Sequence, residues 1–297
     1  MSPSSALPSY AFEFTPEVLQ RFEPYIGNEN LVRLALGVLA RRRKRHPVLV
    51  GEAGVGKTAL VVELARRIAA GQAPDRLNAA RVFQVDLGTA VAGTRYRGDF
   101  EERMSWLSRQ LLDQEKSIFF IDEVHLVLNV GGGEGGIDAA SLLKPALSSG
   151  LGALIGATTR EQARHLESDA PLARRLVFIP VSEPSTELTK EILSRHAAAL
   201  EEELSITVPA PVVDAALDAA VRLRPHRHLP DSAIDILELA VSLAAADTPK
   251  RGEIEPEAIR FVADFMSQGI TTYANKGRLR SASKAVGRFV RRGRSGR

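Results

Sequence analysis

The stretch VLVGEAGVGKTALVVELA, from Val48 to Ala65, decides the fold. An apolar run breaks into a glycine-containing loop that ends with Gly56, Lys57 and Thr58, and a helical pattern follows. The spacing G-x-x-x-x-G-K-[ST] between a strand and a helix is typical of a phosphate-binding loop. Glycine lets backbone N–H groups face an anion, and the helix N-terminus adds positive potential. The sequence therefore predicts a nucleotide site.

The residues of this loop have distinct predicted roles. Lys57 is expected to reach the β- and γ-phosphates of ATP, and the Thr58 hydroxyl to bind Mg²⁺. An ordinary glycine turn is the alternative, but such a turn matches the whole motif by chance in only about one per cent of chains of this length. The residues expected to surround the phosphates are Gly51, Glu52, Ala53, Gly54, Val55 and Gly56.

Length and composition restrict the class of protein. A chain of 297 residues can bury one large or two modest cores, and 44% hydrophobic with 25% charged residues is typical of globular proteins. No apolar run approaches the roughly 18 residues of a membrane helix, so we expect no membrane span. The N-terminus lacks a secretory signal pattern, and the absence of cysteine excludes disulfides. We expect a cytoplasmic protein.

The net charge of +3 is distributed unevenly. Residues 276–297 contain nine Lys or Arg and no acidic residue, which leaves 30 basic and 36 acidic residues in the rest of the chain. Such a tail could bind nucleic acid, an acidic protein surface or anionic lipid. A disordered, solubilising terminus is the alternative.

Alternating strand and helix patterns predict a doubly wound α/β domain with a parallel five-stranded sheet. After the strand that precedes the phosphate loop, the predicted strands are RVFQVDL (81–87), SIFFIDE (117–123), ALIGATT (153–159) and LVFIPV (176–181). From Glu183 onward four helical segments follow. The predicted domains are an N-terminal arm (1–20), a large α/β nucleotide-binding domain (21–183), a small all-helical lid domain (184–270) and a basic, disordered tail (271–297).

Polar residues at the predicted strand ends supply candidates for chemistry. Asp122 and Glu123 follow a buried strand, where ligands bind in open α/β sheets. Asp122 suits the Mg²⁺ shell, and Glu123 suits orientation and deprotonation of the attacking water. Thr159 ends the next strand, where its hydroxyl could position that water or simply cap the strand end. Arg174 and Arg175 together indicate either a solvated surface or an arginine finger.

Several longer segments resemble the first ATPase module of the Clp/heat-shock protein disaggregases and unfoldases, which are AAA+ ATPases. The similarity covers about residues 10–265. The segments that carry it are PYIGNENLVRLALGVLARRRKRHPVLVGEAGVGKTALVVELARRIAAG, DLGTAVAGTRYRGDFEERM, FFIDEVH, GGIDAASLLKPALSSG, IGATT, DAPLARRLVFIPVSEPS and LPDSAIDILELA.

The resemblance implies roles that spacing alone does not show. Tyr96 would grip a threaded polypeptide, Thr159 would be the sensor of the γ-phosphate, and Arg174 and Arg175 would reach a neighbouring subunit's site in a ring, usually of six. The other residues implicated are Arg95, Arg97 and Gly98 in the pore loop, residues 129–136 as a second pore loop, and Ile26, Gly27, Ile192 and Pro230 around the adenine.

Two functions follow as hypotheses. The first is a homo-oligomeric ATPase ring, with ATP and Mg²⁺ as cofactors, that unfolds or remodels protein substrates through a central pore. The second is an ATP-switched assembly or regulatory protein that acts on DNA or on a DNA-bound complex through the tail at 276–297. Family members normally carry an N-terminal substrate domain and a second ATPase module, which this sequence lacks, so assembly with a partner protein is a further expectation.

Overall fold

A computed structural model of the chain forms two compact units. One unit consists of residues 1–52 and 57–182, and the other of residues 53–56 and 183–297. Each unit has its own hydrophobic core. None of the helices in the described part of the chain has the length and apolar character needed to cross a membrane. The structure describes residues 7–87, 89, 97–113, 116–129, 139–149, 151–222, 227–247, 252–267 and 285–292.

The first unit is built on a six-stranded sheet. Its strands are β1 (Ala11–Glu13), β2 (His46–Val50), β3 (Arg81–Val85), β4 (Ser117–Ile121), β5 (Ala153–Thr158) and β6 (Leu176–Pro180). Their order is β1-β3-β4-β5-β2-β6, and all pairs among β2 to β6 are parallel. Every residue of β4 and β5 is buried, as expected for strands covered on both faces. The predicted parallel, doubly wound sheet is confirmed.

The sixth strand, β1, corrects the expectation of five. It pairs antiparallel with β3, with Ala11 opposite Val85, and lies within the segment interpreted as an arm. Glu13 accepts a hydrogen bond from the Arg81 guanidinium (2.7 Å), which ties the two strands together. The three residues of β1 are too few for a periodic signal, so their strand conformation depends on the partner strand.

Eight helices of the first unit lie in the described residues. The helix that begins at Glu29 and the helix that begins at Lys57 are joined by an ion pair, in which Arg67 donates two hydrogen bonds of 2.7 Å to Glu29. These bonds lower the pKa of Glu29 to about 2. The helices are α1 (Pro16–Leu19), α2 (Glu29–Leu39), α3 (Lys57–Ala69), α4 (Arg97–Asp113), α5 (Leu126–Asn129), α6 (Ala139–Ser149), α7 (Arg160–Ser168) and α8 (Ala170–Ala173).

The basic run at 41–45 divides into exposed and buried parts. Arg41 to Lys44 are exposed after the end of α2, but Arg45 is buried and donates to the Leu151 carbonyl (3.1 Å). Its charge therefore holds the turn between α6 and β5 rather than facing solvent.

His46, the first residue of β2, is buried at 1% exposure. Its Nδ1 accepts a hydrogen bond from the Leu154 N–H (3.1 Å), so in the neutral ring Nε2 carries the proton and donates to the Leu147 carbonyl (3.0 Å). Burial, opposed by the hydrogen bond to the Leu147 carbonyl and aided by the positive charges of Arg45 and Arg175, lowers the pKa of His46 to about 4. The imidazole thus joins the end of α6 to the start of β5.

The second unit is mostly helical, with α9 (Thr186–Leu204), α10 (Ala210–Arg222), α11 (Asp231–Asp247) and α12 (Pro256–Ser267). Two short strands, β7 (Gly252–Ile254) and β8 (Val290–Arg292), pair antiparallel, which departs from the all-helical expectation. Part of the basic tail is therefore structured. Val286 is fully buried in this unit's core, and the Glu255 N–H donates to the Phe289 carbonyl (2.8 Å). Few apolar residues suffice there because they join a core that the helices already form.

His46 makes folding stability depend on pH. Its pKa is about 4 in the folded state and about 6.5 in an unfolded chain, so the unfolded state binds more protons between these values. We expect the free energy of unfolding to fall by about 2 kcal/mol from pH 7 to pH 5 because of this residue. Urea denaturation at both pH values measures the loss. In His46→Gln this component should be absent; an equal pH dependence in both proteins would contradict the assignment.

Candidate active site

The phosphate loop starts at the carboxyl end of β2. The Gly51 N–H donates to the Thr158 carbonyl at the end of β5 (3.1 Å), so the loop begins at the sheet edge where ligands bind in α/β proteins. Gly54 and Gly56 have φ angles of +83° and +95°, which residues with a side chain rarely adopt. These conformations let the backbone curl between β2 and α3, as binding of phosphate oxygens by N–H groups requires.

Lys57 begins α3, and its ammonium group is directed back to the loop. Its Nζ donates to the carbonyls of Gly51 (2.9 Å) and Glu52 (2.8 Å). Burial lowers the pKa of Lys57, while the negative charges of Asp122, Glu52 and Glu123 oppose that shift. A half-buried cation beside the backbone of this loop is suited to hold the phosphates of a nucleotide.

Thr58 and Asp122 come together although 64 residues separate them. The Thr58 Oγ1 lies 3.5 Å from Asp122 Oδ2, and Asp122 Oδ1 accepts a hydrogen bond from the Glu123 N–H (3.0 Å). Mg²⁺ takes oxygen ligands at about 2.1 Å, so adjacent octahedral ligands lie about 3.0 Å apart, and a small rotation of either side chain would bring these two oxygens onto one ion. Both residues are suited to the metal shell that the sequence predicts.

Glu123 is held in an unusual backbone conformation, with φ of +51°. The next residue fixes the turn to β5, because the Val124 N–H donates to the Ala157 carbonyl (3.0 Å). The Val124 side chain fills the space beside Gly156, where an added Cβ would lie 2.7 Å from Val124 Cγ1. The position of the Glu123 carboxylate at the end of β4 therefore depends on the absence of a side chain at residue 156.

Two neighbouring threonines at the end of β5 have different partners. Thr159 Oγ1 accepts from the Gln162 N–H (3.3 Å) and caps the N-terminus of α7, whereas the alternative considered beside the sensor role is capping of the strand end. Thr158 Oγ1 lies 3.1 Å from His125 Nδ1. Burial lowers the pKa of His125. The sequence reasoning did not identify His125, although it lies two residues after Glu123.

Arg174 and Arg175 follow α8 directly. Arg174 is exposed, and its Nε donates to the Ala170 carbonyl (3.2 Å). Arg175 is half-buried, and its Nε donates to Ser148 Oγ (2.6 Å). The two arginines therefore differ: Arg174 bonds a carbonyl of its own helical turn, and Arg175 bonds both that turn, at the Pro171 carbonyl, and α6.

The remaining predicted residues divide into three groups. Arg95, Tyr96 and the loop at 130–136 lie outside the described residues, and Arg97 and Gly98 form the first turn of α4. Ile26 and Gly27 precede α2 in the first unit, where a Cβ on Gly27 would overlap the Tyr25 ring. In the second unit Ile192 lies on α9, and the buried Pro230 precedes α11, whose Asp231 N–H donates to the Gly54 carbonyl (3.4 Å).

Comparison with known families agrees with this geometry. Residues 47–183 match the ATPase family associated with various cellular activities (AAA), and residues 185–277 match the AAA lid domain. The chain belongs to the AAA ATPase family. The first match begins at β2 and includes the phosphate loop, the acidic turn and both arginines.

Relatives of this AAA chain are Clp and heat-shock proteins. Chaperone protein ClpB of Rhodopirellula baltica is 42% identical over 229 residues, which cover 76% of this chain and 26% of the relative. The ClpC ATP-binding subunit of Staphylococcus epidermidis is 42% identical over 240 residues, covering 79% and 29%. The chain thus spans less than a third of the length of these relatives.

Solved structures of Hsp104 have the same fold. An Hsp104–ADP complex from S. cerevisiae gives a TM-score of 0.77 at 36% identity and covers 88% of this chain and 45% of that chain. A closed state of Hsp104 with ATPγS and FITC casein gives a TM-score of 0.76 at 32% identity, covering 93% and 52%.

Gly156 should control catalysis through Val124. In Gly156→Ala the new Cβ displaces Val124 and with it the Glu123 turn, so we expect kcat for ATP hydrolysis to fall about tenfold or more with KM little changed. Shortening the neighbour in Gly156→Ala/Val124→Ala should restore much of kcat. Steady-state phosphate release measures both. Full kcat in Gly156→Ala, or no recovery in the double variant, would refute the dependence.

Proposed function

We propose that this AAA chain binds ATP with Mg²⁺ and hydrolyses it, as one subunit of a ring that unfolds or remodels protein substrates in the cytoplasm. The observation that carries the proposal is the fixed position of Glu123 beside the Asp122–Thr58 pair. Both β4, which precedes the acidic pair, and β2, which precedes the phosphate loop, are hydrogen-bonded to β5. A base, two metal-binding oxygens and a phosphate loop at one sheet edge match the requirements of phosphoryl transfer.

Different residues of the chain bind the phosphates, hold the metal ion and accept the proton. Lys57 and the N–H groups of residues 51–56 bind the β- and γ-phosphates, and Thr58 with Asp122 would hold Mg²⁺, which neutralises charge on the phosphate oxygens. Glu123 accepts a proton from water, whose oxygen then forms a bond to the γ-phosphorus. The bond between that phosphorus and the bridging oxygen breaks, the proton passes from Glu123 to the phosphate or to solvent, and ADP and inorganic phosphate are released.

The arginines and the pore loop supply the proposed link between ATP and work. Arg174 and Arg175 would act on nucleotide bound to a neighbouring copy, where a guanidinium stabilises the charge of the transition state. Tyr96 would contact the threaded polypeptide. The presence of casein in the Hsp104 structure supports a protein substrate. Neither the relatives nor the similar structures point to nucleic acid, so the role in DNA binding considered for the tail is not proposed.

Two substitutions should separate binding from hydrolysis. In Lys57→Ala the loop loses its cation, and ATP affinity should fall sharply. In Glu123→Gln ATP should still bind, but kcat should fall by about 10² or more because the general base is absent. Binding of a fluorescent ATP analogue and release of phosphate measure the two steps. Undiminished turnover in Glu123→Gln would overturn the assignment of the base.

The pore loop is tested by an aromatic and a non-aromatic substitution. Tyr96→Ala should leave ATP hydrolysis near the wild-type rate but abolish ATP-dependent unfolding of a fluorescent protein, because the gripping side chain is lost. Tyr96→Phe should retain unfolding, since the ring remains. Unfolding by Tyr96→Ala at the wild-type rate would contradict threading and favour an ATP-controlled assembly function instead.

A further inference from the structure

The arginine pair depends on a very short helix. α8 contains only Ala170–Ala173 and leads directly into Arg174. A single helical turn is unstable by itself, because its nucleation costs more than its few hydrogen bonds return. Its first turn is capped by Asp169, whose Oδ1 accepts from the Leu172 N–H (2.9 Å). The direction in which the arginines leave the fold is therefore set by whatever fixes Asp169.

Lys144, on α6, fixes the other oxygen of the same carboxylate. Its Nζ lies 2.8 Å from Asp169 Oδ2, and the two side chains are 24% and 21% exposed. Burial raises the pKa of Asp169, but the hydrogen bonds from Lys144 and Leu172 and the charge of Arg175 outweigh that effect and lower it. One carboxylate thus caps α8 with one oxygen and binds α6 with the other.

A second contact joins the same two elements one turn further along α6. Ser148 lies four residues after Lys144, on the same helix face. Its hydroxyl donates to the Lys144 carbonyl (2.7 Å), which leaves its lone pairs to accept from Arg175 Nε (2.6 Å). The end of α6 is itself fixed, since the Leu147 carbonyl accepts from His46. Arg175 thus joins the segment after α8 to α6, whereas Arg174 remains exposed.

We propose that Lys144 is a positioning residue that acts on the nucleotide site of a neighbouring copy. Through Asp169 it holds α8 so that Arg174 is presented outward in a defined direction, while Arg175 stays bound to Ser148. The inference rests on the proposed ring, in which each copy supplies its arginines to the next. Its distinctive consequence is the location of the defect: a copy without Lys144 has an intact site of its own but supplies misplaced arginines.

Complementation between two defective proteins locates that defect. Lys144→Met keeps its own site and should bind ATP normally, but as a homo-oligomer its kcat should fall about tenfold to a hundredfold. Glu123→Gln has no base but keeps its arginines in place. In a randomly mixed equimolar ring, about a quarter of the interfaces would join an intact site to intact arginines, since such interfaces are head-to-tail. The mixture should therefore hydrolyse ATP at about a quarter of the wild-type rate.

Three controls make the outcome decisive. Asp169→Asn keeps an N-cap but loses the negative charge, so it should behave as Lys144→Met does. Lys190→Met removes a different, exposed ion pair, with Asp214, and should hydrolyse ATP as the wild type does. Arg174→Ala/Arg175→Ala mixed with Glu123→Gln is the reference for arginines that act between copies.

The possible results separate the inference from the proposal beneath it. The inference is supported if ATP hydrolysis recovers both in the reference mixture and in the mixture of Lys144→Met with Glu123→Gln. Recovery with the reference alone, or wild-type kcat in Lys144→Met by itself, overturns the role of Lys144 and leaves the ring intact. If ATP hydrolysis does not recover in the reference mixture, the arginines do not act between copies, and the proposed role of Lys144 is refuted as well.

Discussion

The last two carbonyl groups of β5 organise the candidate active site. The Ala157 carbonyl accepts from Val124 and fixes the turn that carries Glu123, while the Thr158 carbonyl accepts from Gly51 and fixes the start of the phosphate loop. Two segments that are distant in sequence are thereby held to adjacent residues of one buried strand. Because β5 is bonded on both sides, to β2 and β4, neither carbonyl can shift without disturbing the sheet. The position of Glu123 relative to the phosphate loop follows from this constraint.

The sequence predicts most of this fold because its signals are local. Buried parallel strands are continuous apolar runs, and the phosphate loop is a fixed spacing of a few residue types. The exceptions are elements that exist only through partners. β1 depends on β3, and residues 285–292 of the tail become structured because Val286 enters a core made by distant helices. No periodicity within three or four residues could reveal either.

The residues of the candidate site also fall into those that local motifs predict and those whose contacts depend on distant partners. Lys57, Thr58 and the acidic pair follow from motifs, and the structure brings Thr58 to Asp122. The contact between Gly156 and Val124 is different, because it depends on which side chain occupies a space, and spacing does not specify that. A glycine inside an otherwise apolar strand was the available signal, since it often marks a close approach. The pairing of Lys144 with Asp169 left no signal at all.

β2 connects the helix that holds the arginine segment to the phosphate loop. Its first residue, His46, binds the end of α6, and its last, Val50, leads into the phosphate loop. A strand of five residues, bonded to β5 on one side and β6 on the other, is a stiff element. The helix that holds the arginine segment and the loop that would hold a copy's own nucleotide are therefore attached to opposite ends of one rigid strand. We expect these two features to move as one body, so the direction in which a copy presents its arginines is tied to the orientation of its own site.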